Sequence, residues 1–167
     1  MKCPSCKNEM ICGPGEHHYK ESGLDNVYLL GIEICECACG EKVFNIPAVT
    51  ELHRKIAFDL IKKKSLLNGK EIRFLRKSMG LTAINLAKII GVDNATVSRW
   101  EQSNQFIGKA HDRLLRLVYL NIKGIPAKQT EHLIKENFTE ILPVQKDVPR
   151  YMIPLDEWSK TNICFTK

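Results

Sequence analysis

Residues 81–101 read LTAINLAKIIGVDNATVSRWE, and this stretch predicts two short helices joined by a tight turn. Thr82 is a residue type that caps helices, so a first helix is expected to begin directly after it. Gly91 ends that helix, because glycine adopts the left-handed conformation that closes a helix without a steric clash. Asp93 is a second capping residue, and it opens a helix that is expected to reach about residue 103.

The two predicted helices each have an inward and an outward face. Apolar residues recur at helical spacing and are expected to pack on the inward faces: Leu86, Ala87, Ile90, Val92, Val97 and Trp100. Such a pair of helices is the helix-turn-helix pattern, whose second helix enters the DNA major groove. The candidate DNA-contacting residues are Thr82, Asn94, Ala95, Thr96, Ser98 and Arg99. The alternative is a helical hairpin whose outward residues are only solvated.

Residues 69–122 resemble the Xre/lambda-repressor class of helix-turn-helix domains. The resemblance is carried by Leu81-Thr82, Leu86-Ala87, Gly91-Val92 and Val97-Ser98-Arg99-Trp100-Glu101. By position, the resemblance implies that Arg99 reads a base, and arginine paired with guanine is also the commonest specific contact in the major groove. This class often carries Gln and Glu where the chain has Ala83 and Asn85, so the operator sequence does not carry over.

The net charge of +6 over 167 residues is concentrated in the same region. Residues 1–68 hold nine basic and nine acidic residues, and residues 126–167 hold six of each, so both parts are balanced. Residues 69–125 hold four acidic residues against ten basic ones: Lys70, Arg73, Arg76, Lys77, Lys88, Arg99, Lys109, Arg113, Arg116 and Lys123. A basic surface of this kind can neutralise DNA phosphates. A solvated basic face is the alternative, and the coincidence with the motif favours DNA.

Six of the seven cysteines lie in the first 39 residues, and the pattern predicts a zinc ribbon. Clustered cysteines in a cytoplasmic protein are more often metal ligands than disulfides. The C-x-x-C of Cys3 and Cys6 and the C-x-C of Cys37 and Cys39 can place four thiolates around zinc. Alternating and β-branched residues between the two pairs, within residues 19–34, indicate strands. Such a small core depends on its metal, so the zinc is expected to be structural.

The second pair of ligands has an alternate, Cys35, because Cys35, Cys37 and Cys39 would share one face of an extended strand. Gly40 favours Cys37 and Cys39, since it lets the chain turn under the metal. The remaining reserve ligands are expected to be loop residues: Cys12, His17 and His18. Cys164 is expected to be a small, partly buried side chain.

The predicted fold is α+β and mainly α. It consists of a zinc ribbon over residues 1–46, a connecting amphipathic helix over 47–68, a helix-turn-helix bundle over 69–123, and a C-terminal helix with an extended arm over 124–167. The connecting helix carries Val49, Leu52, Ile56 and Leu60 at helical spacing. The arm is too apolar to be simply disordered, and it is expected to pack on the domain or on a dimer mate.

The order of these parts resembles the MqsA-type (YgiT-like) zinc-finger antitoxins and their stand-alone regulator relatives, over about residues 1–122. The resemblance implies a homodimer that binds palindromic double-stranded DNA, and some such proteins use the zinc domain to hold a small toxin protein. We therefore expect a sequence-specific transcriptional repressor, or alternatively a type II antitoxin that regulates its own operon.

An enzyme is not expected. No residue set suggests an open metal position, a nucleophile with a base, or a phosphate-binding loop. No apolar run approaches the length of a membrane span and no secretory signal is visible, so the expected location is cytoplasmic.

Overall fold

The computed structural model describes residues 1–145 and 148–159, which fall into two compact units. The first, called the ribbon unit here, contains Met1–Leu52 and the described residues from Pro149 onward. The second, called the helical unit, contains the described residues of His53–Val148. Cys164 lies outside the described residues, so the expectation for it stays a prediction.

The ribbon unit is built on a four-stranded sheet. Its strands are β1 (Ile11–His18), β2 (Val27–Glu36), β3 (Lys42–Asn45) and β4 (Tyr151–Pro154). β2 pairs antiparallel with β1 and β3, and parallel with β4. A single 3-10 turn, Lys20–Ser22, lies between β1 and β2, and the described chain ends in a short helical turn, Asp156–Ser159.

A bulge at Gly31 divides the central strand β2 into two halves. Gly15 pairs with Ile32 and Glu16 pairs with Leu30, which leaves Gly31 without a partner on β1. Gly31 has a φ of 76°, a backbone conformation that favours glycine at such a bulge. β3 pairs with the half of β2 that follows the bulge, and β4 pairs with the half that precedes it.

The C-terminal segment completes the core of the ribbon unit. Ile153 of β4 and Trp158 of the final turn are fully buried, as are Val27, Leu29 and Ile32 of the ribbon unit. The arm expected from the sequence is therefore a strand of the N-terminal sheet followed by a buried tryptophan. The division of the chain into four segments stays a prediction. In the structure, β4 from the predicted C-terminal segment 124–167 pairs with β2 from the predicted ribbon segment 1–46.

Replacing Trp158 by alanine is expected to lower the free energy of unfolding of the ribbon unit by about 3–5 kcal/mol, because a fully buried indole ring is lost. Hydrogen exchange read by mass spectrometry at the amides of β2 measures this unit by itself. Met152→Ala is the control, since that side chain on β4 is 37% exposed. Unchanged protection of β2 in the Trp158→Ala variant would show that residues 149–159 do not stabilise the sheet.

The helical unit is a bundle built from six α-helices and one π-helical turn. The helices are α1 (Val49–Lys62), α2 (Gly69–Ser78), α3 (Ala83–Ile90), α4 (Asn94–Glu101), α5 (Lys109–Ile122) and α6 (Ala127–Leu133), and the π-helical turn Ile134–Phe138 follows α6. The division between the two units falls within α1, after Leu52. An N-terminal sheet followed by a helical bundle with a helix-turn-helix confirms the predicted fold class.

Local capping explains where these helices start and stop. The Asn68 side chain accepts the N–H of Glu71 while the Glu71 carboxylate accepts the N–H of Asn68, a reciprocal capping box that opens α2. Thr82 caps α3, and Gly91 closes it with a φ of 80°, both as predicted. Asp93 precedes α4 as predicted, but its side chain makes no capping hydrogen bond.

Apolar spacing along residues 109–122 predicts a helix that buries Leu114, Leu115, Leu117 and Val118, with Tyr119 as a further candidate, and the inward face of α5 differs from this prediction. Five residues of this helix are buried, namely Asp112, Leu115, Arg116, Tyr119 and Leu120. Leu114 is exposed, and Leu117 and Val118 are half-buried, so the helix is rotated relative to the apolar face expected from the sequence. The reason is that α5 buries the charged pair Asp112 and Arg116, which apolar periodicity does not register.

Candidate DNA-binding surface and metal centre

The four cysteines predicted as ligands come together at one end of the ribbon unit. Their Sγ atoms all lie within 4.8 Å of one another: Cys3, Cys6, Cys37 and Cys39. The Sγ atoms of Cys6 and Cys37 are 3.4 Å apart, and those of Cys3 and Cys39 are 3.6 Å apart. Tetrahedral zinc with sulfur at about 2.3 Å separates its ligands by roughly 3.8 Å. The spacing therefore fits a four-thiolate metal site.

Two tight turns position the four cysteine side chains. In the first, the N–H of Lys7 donates to the carbonyl of Cys3, and Lys7 itself has a φ of 65°. In the second, the N–H of Gly40 donates to the carbonyl of Cys37, and Gly40 has a φ of 89°. The left-handed conformation at Gly40 makes the turn that the sequence predicted at this glycine, beside the four sulfurs, and glycine adopts it without strain.

Backbone N–H groups and neighbouring sulfurs shift the thiol pKa values in opposite directions. The N–H of Cys6 lowers the pKa of Cys3 to about 7. The N–H of Cys39 acts to lower the pKa of Cys37, but the Cys6 sulfur and burial outweigh it and raise that pKa to about 12. Four sulfurs this close repel one another when ionised, so a bound divalent cation would stabilise the thiolates together.

Cys35, the alternate ligand expected from the sequence, lies outside this cluster. It pairs across the ladder with Cys12, and the two form a disulfide with their Cα atoms 4.0 Å apart. The expectation that Cys35, Cys37 and Cys39 share one strand face was wrong, because β2 ends at Glu36 and Cys37 begins a turn.

The two histidines and Cys12 lie in β1 rather than in a loop, which corrects the sequence expectation. The His17 ring packs 4.0 Å from the ring of Phe44, measured between centroids. The His18 ring stacks on Tyr28, and its Nε2 lies 2.7 Å from the carbonyl oxygen of Asp25. Neither ring joins the four sulfurs.

We expect Cys37→Ser to lose the bound zinc, because it removes one of four thiolate ligands, while Cys12→Ser retains about one zinc ion per chain. Chelation of the wild-type protein should expose the amides of residues 1–10 and 37–41 to hydrogen exchange. The half of β2 that pairs with β4 should stay protected, since it packs in an apolar core of its own. Elemental analysis and exchange mass spectrometry measure the two effects. Zinc retained by Cys37→Ser at the wild-type ratio would contradict a four-thiolate site.

The outward face of α4 presents the residues predicted to contact DNA. Asn94, Ala95 and Arg99 are exposed, and Thr96 and Ser98 are half-buried. Thr82 is exposed at the start of α3, where its hydroxyl accepts the N–H of Asn85. The structure gives the location and exposure of these residues, and their contact with DNA stays a prediction.

Hydrogen bonds hold the backbone of Arg99, whereas its side chain has no partner among the described residues. Its carbonyl accepts the N–H groups of Asn104 and Gln105 at the end of α4. Within residues 1–145 and 148–159 its guanidinium has no hydrogen-bond or ion-pair partner. All of its donors are therefore available to a ligand such as a guanine edge or a phosphate.

Glu101 anchors the end of α4 to α2, a role that the sequence analysis missed. Its carboxylate is buried and accepts hydrogen bonds from Arg76, at 2.9 Å for Nη2, and from Arg73 at 3.2 Å. Burial acts to raise the pKa of Glu101, but the hydrogen bonds and charges of Arg76 and Arg73 outweigh it and lower that pKa. The anion is therefore the stable form, and its bonds to Arg76 and Arg73 fix the end of α4 against α2.

Two of the basic residues counted as phosphate ligands serve the fold instead. Arg116 is fully buried, so it cannot reach DNA, and the Arg76 side chain is only 13% exposed beside Glu101. The exposed basic residues of the predicted region are Lys70, Arg73, Lys77, Lys88, Arg99, Lys109 and Lys123. Over the whole helical unit, the described residues still hold seventeen basic against eight acidic side chains, a net charge of +9.

The polar surface also extends past α4 in a way that the sequence analysis did not use. The Gln102 Nε2 donates to the Ser98 hydroxyl at 3.3 Å, and the Asn104 Nδ2 donates to the Gln102 Oε1 at 3.1 Å. The signal was the run of amide side chains at Gln102, Asn104 and Gln105, directly after α4.

Comparison with known families agrees with this geometry. The model of the Helix-turn-helix family matches residues 72–105, which run from α2 through α4 into the loop beyond it. This part of the chain is a helix-turn-helix domain of the kind that binds DNA. A search of curated proteins found no match. Among the described residues, every helix is too short or too polar to span a bilayer.

Proposed function

We propose that this protein is a sequence-specific DNA-binding transcriptional regulator, a cytoplasmic, non-enzymatic homodimeric repressor with a structural zinc ion in its ribbon unit. The observation that carries the proposal is Arg99, an arginine with no partner among the described residues, on the exposed face of α4 in a domain that matches the Helix-turn-helix family. The exposed residues Asn94 and Ala95 flank the same surface.

The charge of the helical unit supports a polyanionic ligand. A net charge of +9 attracts DNA at a distance and releases counterions on binding. Because this part of the affinity does not depend on sequence, Arg99 and its neighbours on α4 are proposed to supply the specificity. The zinc proposal rests on the spacing of the four sulfurs.

An apolar groove in the helical unit supports the dimer. The volume of this groove is about 760 Å³. Its apolar lining includes Ile89 of α3, Leu117, Val118 and Ile122 of α5, and Ile134 of the π-helical turn. Glu131 is the one charged residue among those that line it, and it pairs with Lys135. Two basic helical units repel each other least where they meet through a surface with few charges. We therefore assign this groove to the contact with a second copy of the chain.

Arg99→Ala is expected to weaken binding to DNA from upstream of the protein's own gene by about 1–3 kcal/mol, or roughly 5- to 150-fold, because a bidentate base contact is lost. Binding to a scrambled duplex should change far less. Titration by fluorescence anisotropy at two salt concentrations measures both affinities, and its stoichiometry tests whether two chains bind each duplex.

Arg150→Ala is the matched control, since it removes an exposed arginine from the ribbon unit and changes the charge equally. It should leave the preference for the upstream fragment unchanged. If Arg99→Ala discriminates between the two duplexes as well as the wild-type protein does, the assignment of α4 as the reading helix fails.

The second candidate function is a type II antitoxin of the MqsA type, which would bind a small basic toxin through the ribbon unit and also regulate its own operon. The observation that favours it is the charge of that unit. Its described residues hold ten acidic against five basic side chains, a net charge of −5. Nine of the ten carboxylates are exposed.

An apolar contact surface lies among these carboxylates. Ile11 is 84% exposed on β1 and pairs across the ladder with Glu36, which in turn pairs with Lys42 of β3. Phe44, two residues further along β3, is 40% exposed. Large exposed apolar side chains rimmed by charge are typical of protein contact sites, and the acidic rim suits a basic partner.

Co-expression of the chain with the product of each neighbouring gene distinguishes the two functions, since the antitoxin function requires one of these products to be a small basic toxin. The antitoxin function predicts a complex that survives purification, rescue of growth, and loss of both in an Ile11→Asp variant. Arg99→Ala should keep the complex, because it alters only the DNA surface. Neighbouring products that are all harmless and do not co-purify with the wild-type chain would exclude this function and leave the repressor.

A further inference from the structure

The remaining pair of cysteines in the ribbon unit is separate from the four-sulfur cluster. Cys12 of β1 and Cys35 of β2 stand directly opposite each other in the antiparallel ladder. Their Cα atoms are 4.0 Å apart and their sulfurs are bonded. The register of the sheet, anchored by the neighbouring pair Ile11 and Glu36, therefore keeps the two side chains together whether they are oxidised or reduced.

The two sulfurs have different surroundings. Cys12 is exposed to solvent, whereas Cys35 is only 3% exposed. Cys35 belongs to a small buried cluster with Cys3, Met10 and Cys37, two of which are in the four-sulfur site. A soluble oxidant can therefore reach Cys12 before it reaches Cys35. The buried thiol of Cys35 lies directly across the ladder, where it can react with an oxidised Cys12.

We propose that Cys12 and Cys35 form a reversible oxidation site for hydroperoxides, with Cys12 as the attacked residue and Cys35 as the resolving residue. With hydrogen peroxide, the Cys12 sulfur attacks one oxygen, the O–O bond breaks, and a sulfenic acid and one water form; an organic hydroperoxide releases its alcohol in place of this water. The Cys35 thiol then attacks the sulfenic sulfur, forms the S–S bond and releases a second water. Two thiols are oxidised and one peroxide is reduced. A dithiol reduces the disulfide back to the two thiols and is itself oxidised to a disulfide.

The pair also separates oxidation from metal binding. As a free thiol, Cys35 is a fifth sulfur in the same small buried cluster as Cys3 and Cys37, outside the four-sulfur site, and it is then available as a further metal ligand. In the disulfide it is withdrawn from that role, while the four clustered sulfurs keep their places. The oxidised ribbon unit thus has a covalent link across β1 and β2 that does not depend on the metal.

The test uses the full-length, fully reduced, zinc-loaded protein with Cys164→Ser, so that the only other cysteines are the four of the cluster. Hydrogen peroxide is added in equimolar amount, free thiols are alkylated, and the protein is digested with trypsin without reduction. A link between the peptides 8–20 and 21–42 is expected, with no zinc released to a chromogenic chelator. A dithiol should remove the link. The peptide map is read whether or not a metal is bound, so it does not depend on the proposed function.

Two variants assign the roles. Cys35→Ser should accumulate sulfenic acid at Cys12, detected as a dimedone adduct, because the resolving thiol is missing. Cys12→Ser should lose the link and give no adduct at Cys35. The proposal is overturned if peroxide instead links Cys3, Cys6, Cys37 and Cys39 and releases zinc while Cys12 and Cys35 remain open to alkylation. An adduct at Cys35 in the Cys12→Ser variant, equal to that at Cys12 in Cys35→Ser, would overturn the order of attack.

Discussion

The arrangement of the helical unit depends on one buried ion pair, between Arg116 and Asp112 of α5. Both side chains are fully buried. Arg116 donates to Asp112 and to four backbone carbonyls at and after the end of α1: Leu60, Ile61, Lys63 and Ser65. Carbonyls at a helix end have no partner within their helix, and a buried guanidinium needs acceptors, so each satisfies the other. Breaking such a pair costs about 3–5 kcal/mol, because it leaves a charge buried alone.

The position of α4 follows from this pair through α2. Asp112 also accepts the N–H of Leu67, one residue before the capping box that opens α2. At the first position of that helix, a side chain on Gly69 would place its Cβ 2.4 Å from the Trp100 carbonyl, so only glycine lets α2 approach α4 this closely. Further along α2, Arg76 holds Glu101. Arg99 lies two residues before Glu101 on α4. The orientation of α4 at Arg99 therefore depends on contacts that run from Asp112 of α5 through α2 to Glu101.

Much of the helical unit could be predicted because helix ends are decided within one turn of the chain. Thr82 and Gly91 act through bonds to residues three or four positions away, and the sequence shows those neighbours. Arg116 was counted as a phosphate ligand, since its backbone acceptors lie more than fifty residues away and apolar periodicity does not reveal them. Cys35 was kept only as an alternate metal ligand, and its pairing with Cys12 was missed because that pairing depends on strand register, which a sequence does not display.

The separation of charge between the two units became visible only with the fold. Along the sequence, residues 1–68 are electrically balanced. The structure assigns the basic stretch from Arg54 to Lys64 to the helical unit, and brings residues 149–159 into the ribbon unit, which leaves net charges of +9 and −5. An acidic unit is repelled by DNA phosphates, so the ribbon gains nothing by binding the duplex. The same negative charge attracts cations and basic proteins, and this supports assigning metal and protein contacts to the ribbon unit and DNA to the helical unit.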